Sequence, residues 1–181
     1  MDNKDKKRKR ILYISIAIIV FLIISVIYFM VATKKKEKKY NEDMAAAITN
    51  IADNIVYDYI YSDENIDPTN IKLFFDVNGK IFVGKLGDTT DQAQGTLILI
   101  YDGKHAAKVI LPEPVIMDYK LNVKASSDEG FIEQNRAISD KKIEIEDEFL
   151  SSGAKEVLTD RLKAVLTEYL KAKGYKDIEF K

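Results

Sequence analysis

The sequence predicts an α+β domain tethered to a membrane by one N-terminal helix. Three observations carry that expectation. Residues Ile11 to Ala32 form 22 positions without a charge, glycine or proline. Apolar and polar residues then alternate over several stretches between Ile71 and Val123, the period of half-buried strands. A helical period returns near the C-terminus, where Leu150, Ala154, Val157, Leu158, Leu162, Val165, Tyr169 and Leu170 share one wide face.

The apolar run reaches roughly 33 Å as a helix, enough to cross a hydrocarbon core of about 30 Å. An uncleaved anchor fits it better than a signal peptide. The run exceeds the usual apolar core, and Met30 and Ala32 make a poor cleavage pair before the lysines that follow. A lipoprotein route needs a cysteine, and the chain has none. Four regions follow: 1–10 as a basic cytoplasmic tail, 11–33 as the anchor, 34–62 as a juxtamembrane amphipathic helix, and 63–181 as an extracytoplasmic α+β domain.

Topology rests on a near balance. Six basic residues precede the span and five, Lys34, Lys35, Lys36, Lys38 and Lys39, follow it. The basic tail running straight into the span has the layout of a signal-anchor. From Tyr40 onward there are 17 basic and 26 acidic residues, a net charge of −9. Such a domain is poorly suited to anionic inner-leaflet lipid, so the N-terminus is expected inside and the domain outside the cell membrane. The reverse orientation, with both lysine clusters snorkelling, is the alternative.

Beyond the span, Met44, Ile48, Ile51, Ile55 and Tyr59 recur at helical spacing. The stripe suits packing on the domain's own sheet better than a coiled coil, because it covers barely two heptads without clean flanking charge pairs. The span offers no pair of glycines for close helix packing. A monomeric soluble domain is therefore expected.

Ser62 to Asn70, with Pro68, reads as the helix break. Ile71 to Leu86 reads as a hairpin about a type I′ turn at Asn78-Gly79, and a second hairpin turns at Asp102-Gly103. Asp88 to Gly95 reads as a polar loop between them. Pro112 and Pro114 mark a corner or sheet edge. Val115 to Val123 alternates as a half-buried strand, Gly174 suits a helix C-terminus, and Tyr175 to Phe180 closes as a short strand. The expected fold is thus four or five antiparallel strands packed with one or two amphipathic helices.

The residues Leu111, Pro112, Pro114 and Ile116, followed by Arg161, Leu162, Gly174, Tyr175 and Phe180, carry a resemblance. They resemble an uncharacterised bacterial domain-of-unknown-function family of single-pass membrane-anchored proteins. Its pattern is a Leu-Pro-x-Pro-x-Ile strand, a C-terminal helix and a Gly-Tyr-x-x-Ile-x-Phe strand. The resemblance covers roughly half the soluble domain and implies an anchored α+β domain with no established activity. A weaker likeness to flagellar basal-body-associated proteins lies only in the outline.

Catalytic, cofactor-binding and metal residues are all expected to be none. His105 is the single histidine, and with no thiol it has no partners for an ordinary zinc site. Glu144, Glu146, Asp147 and Glu148 form the densest acidic cluster but read as solvent-facing, with Glu144 and Glu146 on one strand face. Asp76-Val77-Asn78-Gly79 and Asp63 to Asp67 are too sparse for a calcium loop, and Asp88 and Asp91 face the same judgement. No phosphate-binding glycine motif occurs, and the negative domain disfavours nucleic acid. The partners expected are the lipid bilayer through Ile11 to Ala32 and an envelope protein. The functional expectation is a non-enzymatic binding or scaffolding protein of the bacterial cell envelope. The alternatives are an accessory subunit of a motility, secretion or conjugation machine, and a small envelope hydrolase using two carboxyls.

Overall fold

The computed structural model describes residues 3–87, 95–103, 105–123 and 131–181, with side chains described from 13 and, in the last stretch, from 136. The chain divides into two compact units, Met1–Asp43 and Met44–Lys181. Helix α1 runs Asn3–Asp53 and contributes to both. The second unit then continues with β1 (Tyr57–Asp63), β2 (Ile66–Phe74), β3 (Ile81–Lys85), β4 (Leu97–Asp102), β5 (Ala106–Ile110), β6 (Val115–Ile116), α2 (Phe131–Ser151), α3 (Ala154–Ala172) and β7 (Asp177–Phe180). The class is α+β.

The amphipathic helix expected over 34–62 is corrected at its end. It stops at Asp53, and Tyr57–Asp63 is a strand. Tyr57, Tyr59 and Tyr61 alternate as strand residues with strong β preference, and the interval from Ile55 to Tyr59 matched the helical period by coincidence. Asn54 closes the helix by donating its side-chain amide to the Asn50 carbonyl at 2.7 Å. Met44, Ile48 and Ala52 are buried within the second unit, so the upper stripe does pack on the domain.

The strands form two sheets rather than one. The first has order β1-β2-β6, all antiparallel, and the second has order β3-β4-β5-β7. In the second, β3 runs parallel to β4 and β5 runs parallel to β7; only β4 and β5 pair antiparallel. The Ile71 to Leu86 hairpin is therefore also corrected. Lys80 N–H does donate to the Val77 carbonyl at 3.0 Å, closing a turn at Asn78-Gly79. But Gly79 has φ +68° while, among the described residues, none other than glycine takes a positive φ. That is the type II pattern, which splays the flanking strands where type I′ would pair them. The chain consequently leaves the first sheet and enters the second.

The Asp102-Gly103 hairpin forms as expected, with pairing from Ile98↔Ile110 to Asp102↔Ala106. Leu111-Pro112-Glu113-Pro114 then carries the chain from β5 back to β6 in the first sheet. The strand expected from Val115 to Val123 pairs only at Val115–Ile116 and at an isolated Val123↔Ile66 bridge. Between them Tyr119 leaves the sheet and donates its hydroxyl to the Lys142 carbonyl of α2 at 3.3 Å.

Helix α3 buries Ala154, Leu158, Leu162, Leu166 and Leu170, one residue per turn. It touches β2 of the first sheet and β7 of the second. Leu166 belongs to the face, whereas Val157 and Val165 are each 42% exposed. Its end is a Schellman cap: Tyr175 N–H donates to the Leu170 carbonyl at 3.1 Å and Gly174 N–H to Lys171 at 2.9 Å. Gly174 takes φ +100°, a conformation that strains any Cβ. Gly174→Ala should therefore cost roughly 1–2 kcal/mol. A urea midpoint unchanged from the parent chain would show that the cap is dispensable.

Candidate functional site

Among the described residues, two features stand out as open to a ligand or a membrane. The first lies in the N-terminal unit. From Tyr13 to Val31 the apolar side chains of α1 stand uncovered, with Leu22 57% and Phe29 73% exposed, and none of the most apolar stretch is buried. Each large side chain left in water forgoes about 1.5–3 kcal/mol of burial, so the segment demands an apolar surround. Two hydroxyls of the stretch are satisfied within the helix. Ser25 donates its hydroxyl to the Phe21 carbonyl at 2.8 Å, and Thr33 donates to Phe29 at 2.7 Å. This helix is long and apolar enough to cross a membrane, and the chain is compatible with a single-pass membrane protein. Lysines 34, 35, 36, 38 and 39 follow at once, with Lys38 3.8 Å from Glu42.

The second feature is a shallow cleft of about 620 Å³ on the four-stranded sheet, its apolar part formed by Leu86, Ile100, Ala106 and Ile178. Lys108, Lys176, Asp102, Asp177 and Glu179 supply its charge. Register explains the grouping. Asp102 and Asp177 both pair with Ala106 from opposite sides, and Lys108 sits between Ile100 and Glu179. The Lys181 ammonium beside Lys108 pulls that lysine below its ordinary pKa, with Glu179 acting in the opposite sense. Asp102, Asp177 and Glu179 are all exposed.

The acidic residues singled out in the sequence are dispersed. KIEIEDEF lies in helix α2, not on a strand, because Ile145 and Phe149 point into the core one turn apart. Glu144 pairs with Lys141 at 3.0 Å, Glu146 approaches Tyr119, and Asp147 and Glu148 are exposed. Burial first, and Glu146 second, push the Tyr119 hydroxyl well above the usual tyrosine range. Asp76 pairs with Lys80 at 2.9 Å, and that contact lowers its pKa. Asp63 accepts from the Asn65 N–H at 2.7 Å, a turn-capping role that lowers it likewise. Among the described residues no group of three or more potential ligands converges on a metal position. Asp88 and Asp91 lie outside the described residues. His105 is exposed beside the β4–β5 turn, where its carbonyl accepts from the N–H groups of Lys176 and Asp177.

No protein family, curated protein or solved structure matches the chain. The residues behind the family resemblance are architectural in this fold. Leu111 to Pro114 form the inter-sheet corner, Leu162 and Tyr175 are buried, Gly174 caps α3, and Phe180 pairs with Val109. Arg161 differs, since it is exposed and lies 5.7 Å from the Tyr57 ring centroid.

Proposed function

We propose that this chain is a single-pass envelope protein of a bacterium, with its N-terminus in the cytoplasm and its α+β domain outside the cell membrane. The domain binds or scaffolds a partner rather than catalysing a reaction. The observation that carries the reading is the uncovered apolar stretch of α1, preceded by a cluster of lysines and arginines and followed by a cluster of lysines. The basic tail and the net charge of −9 from Tyr40 onward favour the outward orientation. Exposed acids around the cleft, and the dispersal of the α2 carboxylates, favour binding over hydrolysis. Membership of the single-pass family that the Leu111–Ile116 and Arg161–Phe180 motifs resemble is part of the same proposal.

Protease added to intact protoplasts should digest the domain and spare the basic tail. Complete protection of the domain would reverse the orientation. A chain recovered from the soluble fraction would remove the anchor.

A further inference from the structure

Strand β1 ends the first sheet, and among the described residues no strand or backbone hydrogen bond occupies its outer edge. Natural sheets protect such edges with proline, lysine, short length or irregular backbone. The other edges here carry those devices. Strand β6 has two residues and follows Pro112 and Pro114. Strand β7 has only four residues, and β3 carries Gly84 and Lys85. Strand β1 has seven residues, YDYIYSD, without proline, glycine or lysine. Its one irregularity is a register shift between Tyr61 and Asp63.

The faces of β1 are unequal. Tyr57 and Tyr59 turn inward onto Phe149, with ring centroids 5.8 and 5.0 Å away. The central residue, Ile60, turns outward and is 69% exposed. We propose that β1 pairs antiparallel with β1 of a second copy of this chain, about a two-fold axis through Ile60. The two three-stranded sheets then join into one of six strands.

Charge selects both occupant and register. Centring the pair on Asp58 would oppose two carboxylates, and centring it on Tyr59 would set Asp58 against Ile60. Centring on Ile60 overlaps the whole strand. It sets Ile60 against Ile60, Tyr59 against Tyr61, and Asp58 against Ser62, pairings of apolar, aromatic and polar kinds that stabilise antiparallel sheets. Asp58 arrives already paired, 3.6 Å from Lys72 and 3.2 Å from the Asn70 amide. At each end, Asp63 of the second copy comes beside Tyr57, over which the exposed Arg161 lies. Asp63 shares the tyrosine face, since it accepts from the Tyr61 hydroxyl at 3.1 Å. The self-pairing thus matches a cation with an anion twice.

This inference rests on the membrane-anchored reading. An edge contact of one strand is smaller than the roughly 1,200 Å² at which stable complexes begin. Copies confined to one bilayer gain an effective concentration that free domains lack.

The cysteine-free chain makes the test direct. Opposed residues in an antiparallel pair lie about 4.5–5.5 Å apart at Cα, inside disulfide reach. Full-length Ile60→Cys in native membranes should oxidise to a covalent dimer at least about tenfold faster than Asn70→Cys, whose two copies would lie roughly 14 Å apart. Adding Arg161→Glu to Ile60→Cys should slow the reaction. Equal rates for Ile60→Cys and Asn70→Cys, with the chain in the membrane fraction, would overturn the pairing. Loss of the chain from the membrane fraction would instead overturn the anchoring, and with it the confinement on which the pairing rests.

Discussion

Leu162→Asp should abolish cooperative folding of the Met44–Lys181 unit. Leu162 is 0% exposed at the middle of α3, one turn from Leu158 and Leu166, which are 0% and 1% exposed. An aspartate there takes an unpaired carboxylate out of water and removes an isobutyl group from the core. Together those changes cost several kcal/mol, against a stability of about 5–15 kcal/mol for a domain of ordinary size. Thermal melting followed by circular dichroism should lose its sigmoid transition. Val165→Asp is the matched control on the same helix. Val165 is 42% exposed, so the change should stay within about 0.5 kcal/mol. Equal damage from both variants would mean that the buried face is as wide as the apolar periodicity of the sequence implied. A Leu162→Asp melt superimposable on the parent would remove α3 from the core.

That contrast separates what was legible in the sequence from what was not. The apolar run, the Asp102-Gly103 hairpin and the Gly174 cap depend on neighbours within a few residues, and each was readable locally. The α+β class followed from the change of period along the chain. What failed depended on partners far away. Asn78-Gly79 turns as expected, yet whether Asn78 adopts a positive φ decides between folding back and crossing to another sheet. The parallel pairings β3·β4 and β5·β7 join segments whose neighbours no local pattern names. KIEIED alternates like a strand, while Ile145 and Phe149 at one-turn spacing carried the helical signal that the alternation hid. Arg161 was visible as a motif residue, but its position over Tyr57 required β1 and α3 to be packed.

The second large effect concerns the end of α1. A chain beginning at Tyr40 should fold and remain monomeric at micromolar concentration, whereas one beginning at Asn54 should aggregate. Met44 and Ile48 are each 1% exposed and Ala52 is 0% exposed, so this stretch is core rather than leash. Removing it uncovers whatever these side chains cover and loses roughly 3–6 kcal/mol from the two large ones. That is a large share of the stability of a small domain, and the exposed apolar surface then promotes association. Cutting after Asp53 spares β1, which begins at Tyr57 and whose loss would damage the first sheet independently. The monomer expected from Tyr40 also agrees with edge pairing through Ile60, since a contact of one strand needs confinement in a bilayer to persist. Sedimentation velocity distinguishes the outcomes. A stable dimer from Tyr40 that becomes a well-behaved monomer from Asn54 would make Met44, Ile48 and Ala52 an oligomer seam, because a core segment cannot be removed without exposing its partners.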